Sequence, residues 1–421
     1  MEDYDQVMEA LKREKKKGRW QGALIAAIII FTLILCYFAW KRILGTALRG
    51  LTTGVIGGEF KSELLTKDVQ EKVGFIEQVI DRYYLDETDK EEMTDGIYKG
   101  LVNGLGDEYS TYYNQKEFSE MMEDTEGVFE GIGAVLQTNP ENGALTVVRP
   151  MKDSPAERAG VLEGDIIIEV DGESVVGEDI NVAVSKIRGR KGTKVKIGIL
   201  REGEEDTLYF TITRDVVESV TVESEMLDND LGYILITEFS DITADQFKKE
   251  LNSLNKQGMK GLIIDLRGNP GGNVDTSVAI ADVLLPEGVV VYTIDKDGVR
   301  EDYNSDSKCY EIPTVVLVNG YTASAAEILS GALKDYDRAV LMGTTTYGKG
   351  IVQSVLSLGD GTGIKLTSAK YYTPKGVNIH KVGIEPDIVV EWDYEAYEED
   401  GTDNQLNAAA DYLNNEIEID E

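Results

Sequence analysis

The spacing of apolar residues changes character along the chain, and each change predicts a different element. Residues 23–40, ALIAAIIIFTLILCYFAW, form an apolar run without charge. At about 1.5 Å per residue this run nearly spans a hydrocarbon core of roughly 30 Å, so it is expected to be a transmembrane helix. From 67 to 118 the period is helical: Val69, Val73, Ile76, Val79 and Ile80 share a side, followed by Tyr98, Leu101 and Leu105 and the turn GLGDEYSTYY. From about 119, glycine-punctuated strand-like runs take over, among them GIGAVLQT, GDIIIEVDGESV and TKVKIGILREG, with one helical stretch, NVAVSKIRG. From 231, strands alternate with helices: GYILITEF, GLIIDLRG and PTVVLVNG are each followed by a helical period. That order predicts a sheet covered by helices on both faces, with chemistry on the loops at strand ends. Near the end, DNQLNAAADYL reads as an amphipathic helix before a charged tail.

The expected fold class is therefore α+β and multidomain. Its parts are a basic segment 1–21, a transmembrane helix 22–40, a glycine-rich stalk 41–66 and a small helical segment 67–118. A strand-rich domain 119–216, an α/β core 217–402, and a C-terminal helix with acidic tail 403–421 complete it. Lys12, Arg13, Lys15, Lys16, Lys17 and Arg19 precede the apolar run and only Lys41, Arg42 and Arg49 follow it closely. Positive-inside bias puts the N-terminus in the cytoplasm and the remainder outside. A cleaved signal peptide is the weaker alternative, because the run exceeds the usual apolar core of about 7 to 15 residues. A lipoprotein is disfavoured by the bulky Leu35 before Cys36.

With 421 residues, 42% of them hydrophobic and 28% charged, the chain can bury ordinary globular cores. Its net charge of -35 argues against nucleic acid as a partner, since phosphate binding needs clustered Lys and Arg. The two cysteines, Cys36 and Cys309, provide no disulfide framework, and the single histidine, His380, rules out a two-histidine metal site. No metal, nucleotide or organic cofactor is expected.

Three loops at strand ends carry the candidate chemistry: DLRGNPGGNVD, NGYTASAAE and GTTTYGKGIVQS. Ser324 lies where a strand-like run breaks into a helix-like one, and a serine hydroxyl needs a base. If KGIVQ is extended, Lys349, Ile351 and Gln353 face the same way. Gly348 and Gly350 leave room for another segment to bury Lys349, and burial lowers a lysine pKa. A neutral lysine can take the proton of Ser324, with Gln353 orienting it. The N–H of Ala325 and one from Gly271 or Gly272 are the candidate donors to the developing oxyanion. His380 is the alternative base. A phosphate-binding reading of GTTTYGKG fails because Gly350 stands where Ser or Thr should hold magnesium, and because a strand rather than a helix is expected next.

The phrases GIGAVL, SPAERAGVLEGDIIIEVDGESV and KIRGRKGTKVKIGI resemble a PDZ domain, which implies Gly131, Ile132 and Gly133 in a carboxylate-binding loop. Over roughly residues 67 to 415, GLGDEYSTYY, GLIIDLRGNPGG, NGYTASAAEI, GTTTYGKGIVQ, TSAKYYTPKG and GIEPDIVV resemble the C-terminal processing peptidases, also called tail-specific proteases. That family joins a PDZ domain to a Ser-Lys serine peptidase, and Ser324, Lys349 and Gln353 fall on its nucleophile, base and orienting residue. The resemblance implies a bacterial endopeptidase whose PDZ domain engages the C-terminal tails of protein substrates, with Arg188 as a gating residue; with the apolar run 23–40 it is expected to be anchored in a membrane. A homodimer through the C-terminal helix and the segment around 67 to 90 is also expected. The runner-up is an inactive membrane-anchored PDZ adaptor that only holds peptide C-termini.

Overall fold

The computed structural model describes residues 62–139 and 143–420. The basic segment 1–21, the segment 22–40 expected to cross a membrane and nearly all of the expected stalk 41–66 lie outside the described residues; among those described, no helix is long and apolar enough to cross a membrane. The chain divides into two units, one ending at Asp89 and the other beginning at Lys90.

In the first unit the expected helix spans Lys67–Tyr83, its start capped by the Thr66 side chain accepting from the Val69 amide. The predicted stripe is present but buries none of its residues: Val69, Val73, Ile76 and Val79 are all exposed.

The second unit opens with the helix Lys90–Asn103. The GLGDEYSTYY stretch, expected to be a turn, ends in a short strand, Thr111–Tyr113, which pairs antiparallel with Gly363–Lys365. A second difference follows directly. Strand-like structure was expected from about 119, but a helix occupies Gln115–Glu126, stabilised by a reciprocal capping box between Asn114 and Glu117 and ended by Gly127 in the left-handed conformation. Local capping chemistry outweighed the low apolar content that made this segment look non-helical.

Strands begin at Val128. Val128–Gly131 pairs with Asp215–Glu218, so the entry and exit of the strand-rich domain are tied together. Between them an antiparallel sheet runs in the order 134–138, 145–150, 166–170, 194–200, 208–213. The helices Pro155–Ala159 and Ile180–Ile187 cover it, around a core that includes Val147, Ala156, Ile167, Val195, Ile197 and Ile199.

The α/β core has a six-stranded sheet ordered 222–226, 231–236, 261–265, 314–318, 340–343, 388–389. The first pair is antiparallel and all the others are parallel. Strands such as Gly261–Asp265 and Thr314–Val318 are buried at every position, as both-face coverage demands. Helices Thr243–Gln257, Val274–Leu284 and Ala325–Asp335 contribute to the larger core on one face. On the other face, the C-terminal helix seats Ala409 and Leu413 against Ile263, Val315 and Leu317. This helix runs Asn404–Asp420, so the expected charged tail is its continuation rather than a separate piece. A second sheet, built around Gly363–Tyr372, carries Ile351–Ser357 on one edge. The parallel strands ending at Asp265, Val318 and Gly343 deliver the three candidate loops to the same end of the sheet.

Candidate active site

Ser324 sits one residue before the helix Ala325–Asp335, the position of an N-cap, but its backbone is not that of an ordinary cap. Its φ of 54° and ψ of -117° place it outside the extended region that N-caps adopt. A non-glycine residue held there costs of order 1–3 kcal/mol, and such strained strand-to-helix turns thrust a side chain outward. The turn is held by its surroundings: the Ala323 amide donates to the Asn269 carbonyl (2.9 Å), the Thr322 hydroxyl donates to the Leu266 carbonyl (2.8 Å), and the Tyr371 hydroxyl donates to the Ser324 carbonyl (3.2 Å). Tyr371 is almost wholly buried, and burial pushes its phenol well above the usual range, so it remains a neutral donor.

Glu327, absent from the residues that sequence reasoning selected, organises the site. Its carboxylate is fully buried and accepts four hydrogen bonds: from the Ser324 amide (2.9 Å), the Lys349 amide (2.8 Å), the Gly348 amide (2.7 Å) and the Thr346 hydroxyl (2.5 Å). A buried carboxylate is tolerated only with such satisfaction. One side chain therefore ties the backbone under the candidate nucleophile to the backbone under the candidate base. The signal was in the sequence: Ser324 to Glu327 is an S-x-x-E capping-box spacing before an apolar run.

The two glycine loops supply donors unequally. The Gly271 amide donates to the Asn269 side chain (2.8 Å), so of the two expected glycine donors Gly271 is already committed. Among the described residues, no hydrogen-bond partner takes the Gly272 amide or the Ala325 amide. Gly271 instead allows close approach: a Cβ there would stand 2.7 Å from the Ser324 Cβ and 2.8 Å from the Ala325 nitrogen.

Lys349 lies in the loop before the strand, which begins at Ile351. The expectation that Lys349 and Gln353 share the face of one regular strand is not met, because Lys349 precedes the strand and the register shifts between Val352 and Gln353. The closure expected around Lys349 is present. A Cβ at Gly348 would stand 2.7 Å from the Gly383 nitrogen, and one at Gly350 would stand 2.5 Å from the His380 nitrogen, so the turn 379–383 packs directly on this loop. Burial is the first cause lowering the Lys349 pKa and the nearby Lys365 is the second; Glu327, Asp107 and Glu108 oppose them. The Lys349 ammonium stands 4.7 Å from the centroid of the Tyr109 ring, and no hydrogen bond joins it to Ser324.

Ser324, Gln353 and Gly272 line a cleft of about 490 Å³ whose apolar walls include Phe239, Ile328, Ile351 and Val355. Lys365 is the cation on this lining, and Lys349 is not part of it. The Gln353 Nε2 is buried without a hydrogen-bond partner, as is the Nδ1 of His380.

In the strand-rich domain, Ile132 and Gly133 border an apolar groove of about 290 Å³ with Phe129, Leu136, Val184 and Ile187. Gly131 ends the strand before it. The carbonyls of Ile132 and Gly133 accept from the Ala156 and Met151 amides, while their own amides have no partner among the described residues. Arg188 borders the same groove, with its guanidinium 4.9 Å from the Phe129 ring centroid and 3.9 Å from the Glu123 carboxylate.

Residues 230–390 match the profile of peptidase family S41, and residues 146–201 match that of a PDZ domain. The carboxy-terminal processing protease CtpA of Bacillus subtilis is 43% identical over 317 residues, covering 75% of this chain and 67% of that protein. The carboxyl-terminal-processing protease of Synechocystis sp. is 37% identical over 337 residues, covering 78% and 79% respectively. Among solved structures, the photosystem II D1 C-terminal processing protease aligns at 30% identity over 75% of this chain and 86% of its own, with a TM-score of 0.44. The chain belongs to peptidase family S41 and is a carboxy-terminal processing protease of the serine type, with a PDZ domain.

Proposed function

We propose that this protease cuts peptide bonds with Ser324 as nucleophile, Lys349 as general base and Gln353 as the residue that orients Lys349. The observation that carries this reading is the strained bend at Ser324, flanked by the free amides of Ala325 and Gly272 and bound through Glu327 to the loop that bears Lys349. The neutral amine of Lys349 takes the hydroxyl proton as Ser324 attacks, then returns it to the leaving amine; water releases the acyl-enzyme by the same route. A pair of preset N–H donors at the oxyanion is worth about 3–4 kcal/mol for each donor removed.

In the same proposal, the C-terminal carboxylate of a protein substrate lies against the amides of Ile132 and Gly133, its last side chain in the apolar groove and Arg188 at the rim. The apolar run 23–40 anchors the protein with its catalytic part outside the cytoplasm. The exposed apolar side of Lys67–Tyr83 supports pairing with a second copy.

The test incubates the full-length chain with an unstructured protein ending in a free apolar C-terminus, beside Ser324→Ala and Lys349→Ala. Fragments are read by mass spectrometry from about pH 6 to about pH 10. Cleavage by the wild type alone, increasing as a lysine deprotonates, is the expected result. Cleavage persisting in Lys349→Ala returns the base to His380 or another group.

A further inference from the structure

Lys349 is held in place by a part of the molecule that the proposed mechanism does not use. The loop 106–110 is fixed to the second sheet next to the site. The Ser110 hydroxyl donates to Asp107 (2.5 Å) and accepts from the Thr367 amide (3.1 Å), and the Tyr109 amide donates to Asp107 (3.2 Å). Thr367 is the register partner of Gln353, and the strand that follows the loop places Thr111 opposite Lys365. Tyr109 is thus carried on a braced loop to the face of the Lys349 ammonium, and its hydroxyl lies 3.5 Å from that of Tyr347.

We propose that Tyr109 is a positioning residue for Lys349: its ring face holds the ammonium away from Ser324 in the resting protease, and productive alignment breaks that contact. This rests on the reading of Lys349 as the base. Two observations beyond the contact support it. No hydrogen bond joins the Lys349 amine to Ser324 or to Gln353, and Gln353 has a buried amide nitrogen with no partner, so the three side chains are not hydrogen-bonded to one another while the ring is engaged. A ring face favours the protonated amine, and the carboxylates of Asp107 and Glu108 on the same loop and of Glu327 on the helix act in the same direction. Burial and Lys365 act against it; His380 faces this group of charges through Asp107.

The experiment compares pH–rate profiles of the full-length wild type, Tyr109→Phe and Tyr109→Leu on one peptide substrate, with Lys349→Ala alongside. Removing the ring destabilises the ammonium, so Tyr109→Leu is expected to move the rising limb to lower pH by about 0.5 to 1 unit and to raise the rate at neutral pH. Tyr109→Phe keeps the ring and is expected to retain the wild-type limb. A Tyr109→Leu limb that coincides with wild type overturns the proposal, as does an equal loss of rate in both variants without a shift. A second measurement needs no activity. Acetylation of Lys349 against pH, read by mass spectrometry, is compared between Ser324→Ala and Ser324→Ala with Tyr109→Leu. An unmoved midpoint there also overturns the proposal. If Lys349→Ala cleaves like wild type, the base assignment itself fails; if it is inactive and the limb stays put, only the role of Tyr109 fails.

Discussion

Two regions of this protein present backbone N–H groups that find no acceptor among the described residues, and they are braced differently. In the PDZ domain, the amides of Ile132 and Gly133 border an apolar groove, with the half-exposed Arg188 at its edge. In the peptidase core, the amides of Ala325 and Gly272 are set by buried polar side chains. Asn269 spans from the Ile236 carbonyl (2.8 Å) to the Gly271 amide, and Glu327 accepts from both the Ser324 amide and the Lys349 amide. On the proposed reading, the first loop receives a permanent carboxylate, which solvent and a nearby cation already tolerate. The second receives a charge that exists only as the bond breaks, so its donors need to be in place beforehand and unable to relax away.

The comparison is broken most completely by Ser324→Ala. Peptide hydrolysis is expected to fall about 10⁴-fold or more, while binding of a tail peptide, followed by calorimetry, stays unchanged. Glu327→Ala comes next. Leaving several buried donors without an acceptor is expected to destabilise the fold by about 3 kcal/mol or more in urea titrations and to abolish cleavage, with Glu327→Gln losing less of both. Groove binding by the folded fraction should survive, because Glu327 lies on the helix Ala325–Asp335 of the peptidase core and does not border the groove.

A smaller, graded effect comes from pH. The Lys349 pKa is lowered, so the neutral base appears as pH rises through that depressed value. Below it, cleavage is expected to fall about tenfold per pH unit, while tail binding stays level. Stability changes with the same sign: between the folded value and that of a free lysine the unfolded chain binds the extra proton, so the fold gains stability as pH rises through the window. The smallest change sharpens the contrast from the other side. A substrate with an amidated C-terminus loses the charge that the Ile132 and Gly133 amides would hold, and an approximately tenfold rise in KM with little change in kcat is expected in steady-state assays.

Much of this arrangement is legible in the sequence. The βα alternation from 231 and the two-sided sheet follow from continuous apolar strands, and Ser324 stands out where such a strand gives way to a helix. The stretches misread were those where local chemistry competed with pattern. The helix Gln115–Glu126 is poor in apolar residues but has a complete capping box, and KGIVQ reads as continuous strand although the strand begins only at Ile351 and its register shifts between Val352 and Gln353. Gly271 and Gly272 could not be told apart in sequence, since both are glycines in a tight loop and only the neighbouring Asn269 separates them.

The sequence by itself determined the order of elements, the PDZ and peptidase segments, and the residue types at the bend and the glycine loops, because these depend on local spacing, propensity and side-chain size. Only the folded structure decided which amides remain free, that one carboxylate ties the Ser324 backbone to the Lys349 backbone, and that the lysine ammonium stands over the Tyr109 ring. Those outcomes depend on groups far apart in the chain meeting in a buried space, where each polar atom must find a partner and no local pattern states which one it will be.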